Sequence, residues 1–336
     1  MRVLVLTTSY PRHSGDPAGN FVADAVERAR ALGFEVEVVS PADFRHFGIA
    51  YGHGIVGNLR AKPWRVLVLP HFFWNFRRAA ARAAGRADLV HAHWLFAGAV
   101  AATLPKPYLV QVWGTDLELA LRAPWLARWI LRRSRRVLAA STFLADRARA
   151  LGAERVRVVP SRVPIPEDPA GPETPPHVLF VGRLSPEKGI AEFLEATDGV
   201  PRVVVGDGPL RASVPEAVGF VPPSALGPYY ERAAVVCCPS RREGYGMVVR
   251  EAMAWGRAVV ASDVGGLSDA IEDDVDGILV PVGDVDRLRR AVGRLLDDSR
   301  ARERLGAAAR ARIRRLDADA SAALELVYRE ALSASP

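Results

Sequence analysis

The chain has 336 residues, with 45 Lys and Arg against 38 Asp and Glu, a net charge of +7, and 49% hydrophobic residues. That length suits two domains of ordinary size, each able to bury its own core, and no apolar run reaches the roughly 18 residues of a membrane span. The only two cysteines, Cys237 and Cys238, are adjacent in an apolar run, which excludes a disulfide framework and offers no metal-ligand spacing.

In chain order, β-branched runs ending in Gly, Pro, Ser or polar residues alternate with Ala/Arg/Leu-rich helical stretches. The first half predicts strands over 3–6, 36–39, 66–69, 89–91, 108–112, 137–140 and 156–159. The opening run is a strand too short for a signal peptide, so a cytoplasmic protein is expected. Residues 161–177, SRVPIPEDPAGPETPPH, are dense in Pro and acid and read as a linker. The pattern then restarts, with strands expected over 178–181, 202–205, 217–220, 235–238, 258–261 and 277–280, and a last helix over 319–333. The expected division is 1–163, a linker over 164–176, a second domain over 177–318, and a helix over 319–336 that packs back on the first domain. Strand–helix alternation on both sides of a linker implies an α/β protein with two doubly wound, Rossmann-like parallel sheets. Ligands in such sheets bind beyond the C-terminal strand ends, and two such edges can face each other across a cleft.

Charge divides the same way. Residues 1–165 carry 24 basic and 11 acidic side chains, a net of +13, and the remainder carries −6. Much of the excess lies in Arg77, Arg78, Arg82 and Arg86 and in residues 125–136, where Trp, Leu and Ile mix with Arg at helical spacing. Interfacial helices have that composition. A solvated Arg-rich face, an anionic membrane surface and an acidic acceptor all remain open. Nucleic acid is not expected, because no zinc spacing or base-stacking aromatic motif accompanies the charge.

The most informative stretch is Glu243-Gly244-Tyr245-Gly246-Met247-Val248-Val249-Arg250-Glu251. A helix is expected over 248–255, ended by Gly256. Gly244 and Gly246 leave first-turn backbone N–H groups open to an anion, which the helix dipole also favours. On a continuous helix, eight residues rise roughly 12 Å. That is too far for a hydrolytic carboxylate pair, which needs about 5–9.5 Å. It suits two hydroxyl-rich ends of one ligand with a phosphate between them, the shape of a nucleotide-sugar. After the strand 178–181 come Gly182, Arg183 and Lys188 at a helix entrance, two cations that suit a diphosphate. Lys188 is one of three lysines against 42 arginines; a compact ammonium is the fitting group where a planar guanidinium is not. Gly206, in Val205-Gly206-Asp207-Gly208, reads best as a structural turn. Gly265 and Gly266 allow a second close backbone approach. Neither the P-loop nor the dinucleotide fingerprint occurs.

Taken in order, GRLSPEKG, VVGDGPL, EGYGMVVREAMAWGRAVVASDVGG and DGILVPVGD resemble the blocks of glycosyltransferase family 4, retaining enzymes of the GT-B architecture. The likeness covers the whole second domain. In the first domain TTSYPRHSGDPAGNFV, ADLVHAHW and VQVWGTD resemble the family more loosely. The resemblance implies sugar transfer from a nucleoside-diphosphate-sugar, with retention and without a metal or other cofactor. Arg183 and Lys188 would hold the diphosphate, and Gly246, Met247 and Val248 would offer it backbone N–H groups. Glu251 would bind the ribose and Glu243 the sugar hydroxyls, with Gly265 and Gly266 along the sugar or phosphate. Gly15, Gly19, Gly182, Gly206 and Gly244 would complete the donor site, and Val221 would lie beside the base. The family often has His where Trp113 precedes Gly114-Thr115-Asp116, so Trp113 and Asp116 are expected on the acceptor side. His93 becomes the candidate to contact acceptor or sugar, or else a packing residue. The acceptor would be a sugar, a glycan or a lipid-linked molecule. A GT-B nucleotide-sugar epimerase and a non-catalytic binding homologue are the alternatives.

Overall fold

The computed structural model describes residues 1–13, 16, 18–51 and 54–333. It divides into two compact units, Met1–Arg162 with Asp319–Pro336, and Val163–Ala318.

Unit one is built on six strands: β1 (Arg2–Leu6), β2 (Glu35–Val39), β3 (Leu89–His93), β4 (Tyr108–Val112), β5 (Arg136–Ala139) and β6 (Val156–Val158). All are parallel, in the order β2-β1-β3-β4-β5-β6, with Val5 opposite His91 and His91 opposite Leu109. The central strands β3 and β4 are buried at every position, as a sheet covered on both faces requires. One face packs on the helix Asn20–Ala31 and on the end of the helix Ser299–Ser333, joining Val3, Val5, Leu89 and Leu109 to Leu324, Val327 and Tyr328. On the other face the helix Trp94–Ala101 lies beside Leu69–Ala84, with Phe72 and Phe96 rings 5.4 Å apart. It also lies beside Pro124–Arg133, where a Cβ on Gly98 would come within 2.9 Å of Ile130. Strand order reverses between β1 and β3, the switch point at which such sheets leave a crevice.

Unit two has five parallel strands, β7 (Val178–Val181), β8 (Arg202–Val205), β9 (Val235–Cys238), β10 (Ala258–Ser262) and β11 (Ile278–Val280), in the order β11-β10-β9-β7-β8. Successive residues alternate between two cores. Phe180, Val235 and Cys237 join Ile190, Phe193 and Leu288, while Leu179 and Val236 join Tyr230, Val249 and Met253. The switch point here lies between β7 and β9. These strands pair only at Val178–Val235 and Leu179–Val236, then part toward their C-terminal ends. Residues 163–176 run along this unit. Val163 is buried in its core, Glu173 donates its N–H to Arg232 O, and Ala170 O accepts from Arg257.

Three expectations are corrected. Residues 66–69 form no strand: Pro63–Val68 is a 3-10 turn, and Leu69 opens the helix Leu69–Ala84. Pro70 suits a first helical turn and could not serve a central strand. Residues 217–220 also form no strand. Only an isolated antiparallel bridge joins Gly219 to Gly206, since Pro215 and Pro222 bracket the run and cannot donate to a ladder. The last helix starts at Ser299 rather than 319 and runs for 35 residues.

Candidate functional site

In unit two, two loops meet beyond the parting ends of β7 and β9. After β7 the chain passes Gly182 and Arg183, anchors on buried Leu184, and turns through Pro186–Lys188 into the helix Ile190–Ala196. Gly189 makes the approach possible. Its φ is +71°, and a Cβ there would lie 2.0 Å from Pro239 O of the loop after β9. Arg241 N donates to Glu187 O and ties the same two loops. Across this junction Lys188 Nζ donates to Glu243 Oε2 at 2.6 Å, a pair 55 residues apart in sequence. Burial presses the Lys188 ammonium toward neutrality. The Glu243 carboxylate, through its charge and its hydrogen bond, and nearby Cys238 together outweigh burial and raise the pKa, against a smaller lowering by nearby Arg183. Lys188 is therefore charged at neutral pH, with exposed Arg183 beside it.

Glu243 sits in the loop before the helix Met247–Ala254, not on it, so a 12 Å helical separation from Glu251 does not apply. Gly246, in the left-handed region with φ +81°, turns the loop into the helix, and no side chain caps the N terminus at Met247 and Val248. The first-turn N–H groups of a helix have no intrahelical acceptors, which makes this end attractive to an anion. The C terminus closes as expected at Gly256: Arg257 N donates to Ala252 O and Gly256 N to Met253 O. Gly266 N donates to Glu243 O, and a Cβ on Gly266 would meet Gly244 O at 2.3 Å, so the Gly265–Gly266 turn lies against the Gly244 loop.

Two residues that sequence reasoning passed over organise this site. Buried Arg250 donates to Tyr245 O and places its guanidinium 4.1 Å from the Tyr245 ring, fixing the loop between the two glycines. The buried Tyr230 hydroxyl donates to Glu251 Oε2 at 2.6 Å and aims that carboxylate. Arg250 lay inside the motif, as the one cation on its helix; Tyr230 had no signal. Gly206 is a structural turn, since a Cβ there would overlap Gly182 O, which leaves Gly182 and Gly206 back to back. Val221, partly buried, packs against the core that includes Tyr230.

The remaining candidates belong to unit one. Gly15 lies outside the described residues; Gly19 has φ +68° and opens the helix Asn20–Ala31. Asp116 is nearly buried. Its carboxylate accepts N–H groups from Trp113, Gly114 and Leu95, and burial raises its pKa. Through these bonds it holds the loop after β4. His93 has no exposed surface, and neither ring nitrogen has a hydrogen-bond partner. It stacks on the half-buried Trp113 at 5.8 Å and lies 4.5 Å from His91, and burial keeps it neutral. In this conformation His93 presents no surface to an acceptor or sugar and takes the place of a packing residue, the other reading open to it in the sequence. Among the described residues no group of three or more His, Cys, Asp or Glu is placed to hold a metal ion.

Comparison with known proteins agrees with this geometry. Residues 175–298 match the family model "Glycosyl transferases group 1", and residues 18–165 match "Glycosyltransferase Family 4". The alpha-D-kanosaminyltransferase of Streptomyces kanamyceticus is 32% identical over 54% of this chain and 57% of its own length. Of solved structures, sucrose-phosphate synthase from Thermosynechococcus elongatus superposes with a TM-score of 0.80 over the whole of both chains, at 22% identity, a likeness of fold. The GDP-mannose-dependent alpha-mannosyltransferase of Mycobacterium tuberculosis is 31% identical over 92% of this chain and 91% of its own length. The chain belongs to glycosyltransferase family 4 and has the two-sheet GT-B architecture.

Proposed function

We propose that the chain transfers a sugar from a nucleoside-diphosphate-sugar to an acceptor hydroxyl, with retention at the anomeric carbon and without a metal ion. The meeting of Lys188, Arg183 and Glu243 beyond the switch point of unit two supports this reading above all else. The bond from the anomeric carbon to the diphosphate breaks, and the leaving group takes the electron pair. Its growing charge falls on Lys188, on Arg183 and on the open N–H groups at Gly246, Met247 and Val248. The acceptor oxygen bonds to the same face of that carbon and passes its proton to the departing phosphate. Glu251, aimed by Tyr230, grips the ribose. Glu243, at the loop, takes sugar hydroxyls once the diphosphate has drawn Lys188. Gly265 and Gly266 lie along the sugar, and the backbone near Val221 along the base.

The acceptor, whether a sugar, a glycan or a lipid-linked molecule, is received by unit one, where His93 supports the Trp113 ring instead of moving a proton. The same reading puts the protein in the cytoplasm, peripheral on the inner membrane face; no helix among the described residues is long and apolar enough to cross a membrane. The test is to incubate the protein with UDP-, GDP- and ADP-sugars and a panel of acceptors in EDTA, then read the product's anomeric configuration by NMR. Acceptor-dependent release of nucleoside diphosphate with a retained linkage is expected. An inverted linkage, or turnover abolished by EDTA, overturns the mechanism.

A further inference from the structure

Unit one carries a second feature that sugar-donor chemistry does not use. Among the described residues, nine of the fifteen exposed large hydrophobic side chains fall between residues 64 and 129. They include Trp64, Leu67, Trp74, Leu121, Trp125 and Trp129, with Leu67 78% and Trp125 73% exposed. Four of the chain's seven tryptophans thus face solvent in one stretch. Isolated exposed apolar residues are ordinary, but clustered aromatics in this number mark an interaction surface.

Their placement is consistent with one surface. The helices Leu69–Ala84 and Pro124–Arg133 flank Trp94–Ala101 on the same side of the sheet. In the first, Phe72, Phe76, Ala79 and Ala83 are buried, while Trp74 and Arg78 share the exposed stripe four residues apart. In the second, Ala127, Ile130 and Leu131 are buried, while Trp125, Trp129 and Arg132 point outward. The turn Pro63–Val68, whose apolar run resembles a strand in the sequence, buries none of its residues and so adds Trp64, Val66 and Leu67 to this exposed set.

The charge on the same stretch selects the partner. Residues 60–136 contain 14 Lys and Arg and 3 Asp and Glu, and one of those acids, Asp116, is buried. Arg65 lies over the Trp64 ring and Arg133 over the Trp129 ring, so cation and aromatic are presented together. Exposed Trp and Leu rimmed by Arg, with hardly any acid, fits the headgroup layer of an anionic bilayer: the rings enter the interface and the guanidinium groups meet lipid phosphates. We infer that unit one docks on an anionic membrane through the turn at 63–68, the exposed stripe of Leu69–Ala84 and the exposed face of Pro124–Arg133. This inference rests on the peripheral location proposed above and names the surface behind it; that surface lies wholly in unit one, so its failure would leave the donor-site reading untouched.

The test is sedimentation with vesicles of phosphatidylserine and phosphatidylcholine, and with phosphatidylcholine alone, read together with tryptophan emission. Binding to the anionic vesicles with a blue shift is expected at about 0.1 M salt, weakening toward 1 M, where screening shortens to about 3 Å. The triple variant Trp64→Ser, Trp125→Ser, Trp129→Ser, and separately Arg128→Gln, Arg132→Gln, Arg133→Gln, should each lose at least about 10-fold in vesicle affinity. All six residues are exposed, so melting temperature and nucleoside-diphosphate binding should stay at wild-type values. Equal binding to both lipids, or unchanged binding of either variant, overturns the inference. So does a wild-type dimer that the Trp variant dissociates, since the face would then belong to a second copy of the chain.

Discussion

Lys188 and Glu243 hold each other at 2.6 Å, and each is partly shielded, with side chains 30% and 17% exposed. Most of each side chain is out of water, so the cost of desolvation largely offsets the attraction and the pair adds little to stability. In the proposed reaction its effect falls on turnover. Lys188→Ala should lower kcat by on the order of 10²–10³, with a smaller loss in donor affinity, because the charge it meets grows only as the glycosidic bond breaks. Glu251→Ala should instead raise the donor KM, since the ribose is unchanged by reaction. Steady-state kinetics checks both, and near-normal turnover in Lys188→Ala would leave the loop structural. The buried histidines give a pH signature. Burial holds His91 down to about 3 and His93 well below its ordinary value, while both titrate near 6.5 when unfolded. Below about pH 6.5 the unfolded chain takes up protons that the folded chain refuses. Stability of unit one should then fall with pH, by up to about 1.4 kcal/mol per unit for each histidine. Six of the seven tryptophans lie in this unit, so urea unfolding followed by their emission at pH 7.5 and 5.5 reads it. His93→Leu should flatten the dependence; an identical profile in that variant would contradict the assignment.

At the scale of elements, the site depends on how closely two loops approach. Gly189→Ala places a Cβ 2.0 Å from Pro239 O at a φ of +71°, a backbone conformation that costs an L-residue about 1–2 kcal/mol before the clash is counted. The β7 loop must shift, carrying Lys188 with it. Nucleoside-diphosphate affinity measured by calorimetry should fall together with the melting temperature of unit two, and an unchanged affinity would show that Lys188 is placed by other means. Much of this framework was legible in the chain. Strands 108–112, 178–181, 202–205 and 235–238 stand where their β-branched runs place them, because buried parallel strands need little more than such a run and a stop. The run 66–69 misled because local composition does not say whether a neighbour exists to pair with; with Pro63 and Pro70 around it, it became a turn and a helix start. The glycines and carboxylates of 243–251 were legible as a group. Their partners were not, since Tyr230 reaches Glu251 and Lys188 reaches Glu243 only through sheet order. Asp116 and His93 were read by type, and burial changed what they can do.

At the scale of the molecule, the helix Ser299–Ser333 serves both units. Its first part packs in unit two through Ala309 and Ile313, and its end fills the core of unit one through Leu324, Val327 and fully buried Tyr328, whose hydroxyl lies 2.8 Å from His91 Nδ1. Burying side chains of this size contributes about 1.5–3 kcal/mol each, and a domain's whole margin is about 5–15 kcal/mol. Truncation after Ala318 should therefore remove the cooperative unfolding of unit one seen by tryptophan emission while unit two keeps its fold; a truncated chain with wild-type unfolding would refute the packing. The opposite charges of the two halves would fit the proposed division of labour, in which unit two takes the donor and unit one the acceptor. The central claim is that unit two holds a nucleoside diphosphate between Lys188 and Glu251, and calorimetric titration of UDP, GDP and ADP in EDTA tests it most directly. One of the three should bind the wild-type protein, with Glu251→Ala weakening it by at least about 10-fold, the loss of a charge-assisted hydrogen bond. No binding to the wild type, or equal binding to Glu251→Ala, would contradict the account.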